Sequence, residues 1–599
     1  MKRVTLLLLV GFLFSSAAFA AKVKMHHATP VVVVDEAKST LPQVDLNKIS
    51  KVSQSPGVSI VGDPTTTRFD WQANGGDQKM LQIQPDGLAH AIYMGATDES
   101  GAGLGDTRGS YYSFSDDYGA SWTYIGKAEP RRAGFPSMDY TPSGSAVISS
   151  HTAPAGFANG ISVFVDALAG FGIFTEFIAP RPATQAIWPQ VVAPADDRIF
   201  FTGYNNADAT TAFWNWVNPT TGGFGEVQPL FPLVDNETTP VTVRSAGGKV
   251  TTLLINGQDA GKYDQWGDNN IVAMTSTDGG MTFGEPYIIT SFPNDTTMET
   301  LPAFWVGFSA VYVGEELHVA WTMVDDTEHG DNPSISYFYD SLRLMHWAES
   351  VNNGEPTVAV QWDSIHFAGD IGSGDFGGNH LAIDWPKLGV DENGTLIMTF
   401  TGFTGDSTTL DPVSNIAYGE IWAVASADDG LQWGEPVNLT NSSDIDDRYS
   451  FLSNWNEAGK LNILYQTSTA AGSALQGETP LGLQDYLVLK ADIPSTEPYT
   501  GPSSVKQVSS VPASYQLEQN YPNPFNPSTA IRFSLEKNSL VKLTVYNMLG
   551  ERVAVLADGY LNAGTHEATW NASSLSSGLY FYRLEAGNTT LTRKMTLMK

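Results

Sequence analysis

The sequence predicts an all-β protein in which a long run of repeated strand units precedes a small β-domain. Three observations carry this. Charged residues make up only 16% of the 599 residues, while Gly (57), Pro (33), Trp (15) and Tyr (23) abound, a mixture of turn formers and sheet-favouring aromatics. No long stretch shows the 3.6-residue period of an amphipathic helix. Along residues 57–493 a weak unit recurs: an apolar strand, a turn with Gly or Asp, a second strand rich in β-branched and aromatic residues, then two more strands.

The chain is too long for one hydrophobic core, so several domains are expected. Its start reads as a secretory signal: Lys2 and Arg3 as the charged region, an apolar run over 4–14, and Ala18-Phe19-Ala20 as the cleavage site. That apolar run is too short for the ~20 residues that span a bilayer, and no other segment is long and apolar enough. Residues 21–56 lack periodicity and read as an irregular segment. Cysteine is absent, so stability must come from packing and sheet closure rather than disulfides. With 32 basic against 64 acidic residues, neither nucleic acid nor an anionic membrane surface is an expected partner, since phosphate binding needs a basic footprint.

The first two strands of each unit are the most legible. They are expected at 80–83 and 88–94, 136–140 and 146–150, 188–192 and 198–203, 240–243 and 249–255, 304–313 and 316–323, 385–390 and 395–400, and 449–455 and 460–466. Four-stranded units at this spacing suit the blades of a β-propeller, with seven favoured and six the alternative. The seventh unit ends with a strand at 486–491, and residues 58–61 could supply the strand it lacks. Joining the two ends of the ring this way removes a free sheet edge.

Three segments follow S-x-D-x-G-x-x-[WF]. They are Ser115, Asp117, Gly119 and Trp122; Ser276, Asp278, Gly280 and Phe283; and Ser426, Asp428, Gly430 and Trp433. Ser and Asp side chains can satisfy backbone groups in a tight turn, Gly tolerates positive φ, and the aromatic ring packs back between sheets. The pattern resembles the Asp box (BNR repeat) of sialidase-like propellers. There the box staples the third and fourth strands of a blade on the outer rim, so these carboxylates are structural and not catalytic by that resemblance.

A sialidase resemblance would also imply an arginine triad that grips a substrate carboxylate, a Tyr–Glu nucleophile pair and an Asp acid/base. The R-I-P motif that usually carries the first arginine is absent. Arg131, Arg132 and Arg181 stand in strings that do not match it, and Arg198 and Arg343 fall near or within expected strands. No catalytic residue is therefore assigned, and the reading leans away from an enzyme. Ca²⁺ is the one cofactor left open, at Asp444, Asp446 and Asp447 or in the loop 369–379, although neither has EF-hand spacing and solvated acidic loops explain both. His90 and His318 occupy equivalent second-strand positions, which suggests a repeated structural role rather than a metal pair.

Residues 494–513 form a Pro/Ser-rich linker. Beyond it, N-Y-P-N-P-F-N-P at 520–527 leads into alternating strands at 530–535, 541–547, 553–556, 568–570 and 577–582, a pattern that predicts a small Ig-like β-sandwich. In it Ile531, Phe533 and Leu535 would oppose Val541, Leu543 and Val545. From that opening to the K-M-x-L-x-K tail, residues 514–599 resemble the type A sorting domain of the type IX secretion system. The resemblance implies recognition by an outer-membrane translocon and delivery to the surface or surroundings of a Gram-negative cell. The leading expectation for the propeller is a module that binds a glycan, protein or matrix ligand. A sialidase-like exo-glycosidase and a structural surface-layer protein are the alternatives.

Overall fold

The computed structural model describes residues 58–60, 78–96, 107–152, 160–180, 186–194, 198–205, 211–230, 240–255, 270–290, 300–302, 307–325, 342–365, 376, 380–403, 409–442, 444–473, 478–479, 484–499, 506–509, 514–536, 539–548, 550, 552–561, 564–572, 575–586 and 589–599. The expected signal peptide and irregular segment (1–56) lie outside the described residues. Two compact units emerge, 1–496 and 497–599.

Alternation of apolar residues along short strands fills the first unit with antiparallel sheets, seven among the described residues. Sheet 1 comprises Leu81–Ile83, Ala89–Gly95, Gly109–Ser115 and Thr123–Lys127, and sheet 2 Ala133–Tyr140, Ala146–Thr152, Gly160–Asp166 and Phe174–Ile178. Sheet 3 comprises Ala186–Val192, Ile199–Asn205, Thr211–Val217 and Gln228–Leu230, and sheet 4 Val241–Arg244, Val250–Ile255, Ile271–Ser276 and Tyr287–Ile288. In sheet 5, Thr300–Pro302 and Phe308–Val313 both pair with Glu316–Asp325, followed by Arg343–Ala348 and Thr357–Gln361. Sheet 6 runs Ile383–Asp391, Leu396–Gly402, Glu420–Ser426 and Val437–Asn438, with Trp455–Asn456 added in parallel to its first strand.

Sheet 7 joins Asp446–Leu452, Lys460–Ser468 and Asp485–Asp492 to Val58–Ile60, which pairs with Leu487–Leu489 from the other end of the unit. First strands of successive sheets pack on one another, and the ring closes where Ile83 N donates to Ser453 Oγ at 2.8 Å. The unit is a β-propeller. Its cores lie between neighbouring sheets: Ile161 and Val163 against Phe201 and Phe213, Phe200 and Trp214 against Leu254 and Val272, and Ile421 and Ala423 against Tyr465 and Leu487.

The second unit is a two-sheet sandwich. Lys506–Ser509, Gly564–Asn571, Ser528–Leu535 and Gln516–Leu517 form one sheet; Arg552–Leu561, Ser539–Tyr546, Gly578–Ala586 and Thr589–Leu597 form the other. Ile531, Phe533 and Leu535 come from one sheet and Val541, Leu543 and Val545 from the other, all fully buried in a common core. One difference from expectation concerns the linker. Residues 506–509 pair with Thr565, His566 and Glu567 as an edge strand, because composition reads turn formers and cannot see a distant partner.

Candidate ligand-binding face

Strand order defines two ends of the ring. In sheet 6, Ile383 pairs with Gly402 and Gly402 with Glu420 at one end; Val390 pairs with Leu396 and Leu396 with Ser426 at the other. Every third strand therefore starts at the end where the first strand starts. All three Asp boxes follow third strands, so they occupy the opposite end.

In each box the serine hydroxyl donates to the aspartate and accepts from the glycine amide. The Ser276 Oγ–Asp278 and Gly280 N–Ser276 distances are 2.7 and 2.8 Å, and Asp278 also accepts from Thr282 N at 2.9 Å. Asp117 and Asp428 repeat the pattern with Ser115 and Ser426. The rings seal neighbouring sheets: Phe283 lies on Phe200 and Trp214, and Trp433 meets His346 edge-on. The carboxylates are occupied within their own turns.

The first-strand end differs. Four first strands carry a β-bulge there, at Gly134/Ser137, Ile187/Gln190, Asp384/Lys387 and Arg448/Phe451. At each bulge an aromatic residue takes positive φ: Phe135 (47°), Trp188 (50°), Trp385 (52°) and Tyr449 (56°). A bulky side chain in this left-handed region costs roughly 1–2 kcal/mol, so the same outlier in four sheets turns four rings out of the ladder at one end of the ring. Phe135 and Trp188 are half-buried, and Trp188 stacks on Tyr204 with centroids 5.5 Å apart.

Trp385 and Tyr449 are buried and converge on His380, with centroids at 6.4 and 5.4 Å. His380 Nδ1 lies 2.8 Å from Asp384 Oδ2, which also accepts from Leu381 N at 2.7 Å. His380 Nε2, Asp384 Oδ1 and Trp385 Nε1 are buried without a partner. Burial pushes the Asp384 carboxyl up, and neighbouring His380 opposes the shift.

Asp446 and Asp447, expected in an acidic loop, sit instead in a strand and are buried. Asp446 is held 2.7 Å from Arg448 and accepts from the amides of Gly419 and Gly472. The other suspected acidic loop, 369–379, falls outside the described residues except for Phe376. Among those residues no group of three or more His, Cys, Asp or Glu could hold a metal ion. His90 bonds Tyr112 and Gln84, and His318 bonds His346, which the sequence did not single out; both lie inside the core.

Farther along, the channel is crossed by charges. Arg244 of sheet 4 reaches Asp139 of sheet 2 at 2.7 Å, and Lys79, just ahead of sheet 1, donates to Val191 O of sheet 3 at 2.7 Å. Burial would raise Asp139, but Arg244 and Lys79 reverse this and hold it below the usual carboxylate range. The Asp139–Arg244 pair lies toward the Asp-box end, where Tyr140 and Arg244 close their ladders.

Of the propeller arginines, Arg108, Arg343 and Arg448 sit at the first-strand end and Arg198 and Arg244 at the other. Arg448 is committed to Asp446 and the carbonyls of Phe376 and Ala417. The bulge aromatics were not recognised from sequence as a set. Their signal was nonetheless present, as Phe135-Pro136, Trp188-Pro189 and Trp385-Pro386 at the start of three first strands.

The fold is that of a β-propeller followed in sequence by a small β-sandwich. Residues 519–598 match the family described as the secretion system C-terminal sorting domain. This domain marks proteins that type IX secretion exports to the cell surface or extracellular space. No curated protein matches the chain.

Among solved structures, PorZ of Porphyromonas gingivalis, a surface component of the type IX system, is 12% identical with a TM-score of 0.33; the match covers 88% of this chain and 60% of PorZ. This chain thus spans less than two thirds of PorZ. A protein of unknown function from Dyadobacter fermentans is 12% identical with a TM-score of 0.35, over 62% of this chain and 98% of that one. The NanB sialidase from Streptococcus pneumoniae is 11% identical with a TM-score of 0.33, over 58% of this chain and 68% of that one. At these scores the likenesses bear on neither ligand nor activity.

Proposed function

We propose that the exported propeller is a seven-bladed binding module for an extracellular glycan, and that the ligand sits at the first-strand end of the ring. The observation that carries this reading is the set of left-handed aromatics at four bulges, with Phe135 and Trp188 left half-exposed. Strain of this kind persists where the surrounding structure over-determines it and concentrates at ligand sites. Flat aromatic faces beside a few fixed polar groups suit the C–H faces and hydroxyls of a pyranose ring. The Asp-box end differs in kind: it exposes Leu168, Phe171 and Ile173 in one turn and is crossed by the Asp139–Arg244 pair.

A glycan array probed with the full chain tests the proposal. Specific binding should weaken about tenfold in Trp188→Ala, the loss of one stacked ring being worth on the order of 1.4 kcal/mol. Because Trp188 is half-exposed, the melting temperature should change little. Undiminished binding by a folded Trp188→Ala protein, or no glycan bound at all, would sink this reading. Fluorogenic sialosides on the same sample test the glycosidase alternative, and turnover would favour it.

A further inference from the structure

Sheet 7 carries a row of polar side chains that the proposed binding face does not use. Asp447 pairs directly with Thr467, and Thr467 with Asp485, across three antiparallel strands. Directly opposed residues share a face of the sheet, so these three side chains lie on one side. Tyr465, two residues before Thr467, joins them. That side is packed on sheet 6, where Tyr465 and Leu487 meet Ile421 and Ala423. All four polar residues are buried.

The row holds more oxygen atoms than hydrogen bonds. Asp447 accepts from Ser442 Oγ through Oδ2, but its Oδ1 has no partner. Tyr465 OH and Thr467 Oγ1 have none either. The Thr467 hydroxyl stands close to the Asp447 carboxyl, and the Tyr465 phenol senses its charge. Among the described residues no basic side chain pairs with Asp447 or Asp485. Arg448 follows Asp447 in the strand, so it lies on the opposite face, where Asp446 and the carbonyls of Phe376 and Ala417 engage it. Buried carboxylates and hydroxyls left in this state are costly unless a cation meets them.

The sequence left Ca²⁺ open at Asp444, Asp446 and Asp447. The structure removes Asp446 from that set, since Arg448 and two backbone amides occupy it, and gives Asp447 different companions.

We infer that Asp447, Asp485, Thr467 and Tyr465 form a Ca²⁺ site in the seam between sheets 6 and 7. Only two of the donors are carboxylates, matching the charge of a divalent ion, and hydroxyls supply the other oxygens. Donors that are all oxygen suit a hard cation, and Ca²⁺ accepts irregular oxygen cages where Mg²⁺ demands an octahedron and keeps its waters. A net charge of −32 draws cations to the chain. The ion would tie together the three strands to which Val58–Ile60 is added, and so support ring closure in a chain without cysteine.

Calorimetry of the full chain in EDTA, then with about 5 mM CaCl2 or MgCl2, tests this. Ca²⁺ should raise the propeller transition by a few degrees, Mg²⁺ should do much less, and the sandwich transition should stay in place. Asp447→Asn and Thr467→Val should each weaken Ca²⁺ binding at least about tenfold by isothermal titration and abolish the shift. In EDTA, Asp447→Asn should melt no lower than the unaltered chain, which separates a lost ion from a damaged fold. If Asp447→Asn does not fold, Thr467→Val, close to isosteric, decides alone. A propeller transition indifferent to Ca²⁺, an equal shift by Mg²⁺, or a shift that persists in the folded variants (an adventitious ion only) overturns the inference. Glycan binding plays no part in these measurements, so their failure leaves the binding face untouched.

Discussion

Asp447 lies in the first strand of sheet 7, fully buried, with one carboxylate oxygen accepting from Ser442 Oγ at 2.5 Å. Burial, with Asp446 beside it adding to the effect, pushes its pKa up to about 7. An ordinary carboxyl titrates near 4, so between roughly pH 4 and 7 the folded chain holds a proton that the unfolded chain has lost. The burden on stability is therefore absent below pH 4, grows by about 1.4 kcal/mol per unit through that window, and is complete above 7. Asp447→Asn should stabilise the propeller at pH 8 and lose most of that advantage near pH 4.5. Urea titrations of both proteins at the two pH values check it, and an advantage that does not depend on pH would refute it. His318 and His346 act with the opposite sign. Burial lowers both, so the stability of their neutral hydrogen-bonded pair is present above about pH 6.5 and declines as pH falls below it. None of this could be read from the sequence, where Asp446-Asp447 looks like any acidic run: burial is a property of what packs on the strand.

Strands were legible as elements because a half-buried ribbon imposes a period of two, and each expected first–second strand pair overlaps an observed pair. The three Asp boxes were legible because the turn needs fixed residue types at fixed spacing. Sheet 2 shows the limit of that signal. Asp166 accepts from Gly172 N and Ile173 N, closing the equivalent turn with a longer spacing that no strict pattern catches. The bulges were harder to read: one extra residue opposite Ser150, Gly203, Phe400 or Tyr465 shifts register, and only the aromatic-Pro pairs at three of the four mark it in the sequence. A division of labour between the two ends follows. Asp278 is mostly exposed, and although its small burial acts the other way, hydrogen bonds from Thr282, Ser276 and Met281 hold its pKa at about 2. Its contribution is present above pH 3.8 and lost as pH falls through 2. Asp278→Ala should cost roughly 1–3 kcal/mol through lost charge-assisted hydrogen bonds while leaving glycan affinity unchanged, since the box lies at the far end of sheet 4. Melting curves and array binding on one preparation check both halves, and a loss of affinity by the folded variant would refute the division.

At the scale of the molecule, sequence revealed the route more completely than the task. The sorting module was legible because its opening and tail are near-literal strings. The proposed ligand face is dispersed over sheets far apart in the chain: Phe135 and Tyr449 are more than 300 residues apart, yet both occupy bulges at the same end of the ring. Closure binds these sheets into one body, and a strand of three residues takes part in it. Val58, Ser59 and Ile60 pair with Leu489, Val488 and Leu487, so the last sheet takes its outer strand from the start of the unit. Without that pairing the edge Asp485–Asp492 would expose unpaired amides and carbonyls, a template for association between chains. The sandwich has its own core, built around Phe533, Trp570 and Tyr582. Calorimetry of the full chain should therefore show two transitions. Deleting Val58–Ile60 should lower the propeller transition by several degrees, make it concentration-dependent through aggregation, and leave the sandwich transition in place. A deletion that moves neither transition would mean that the contacts between sheets 7 and 1, including Ile83 N to Ser453 Oγ, hold the ring shut without the borrowed strand.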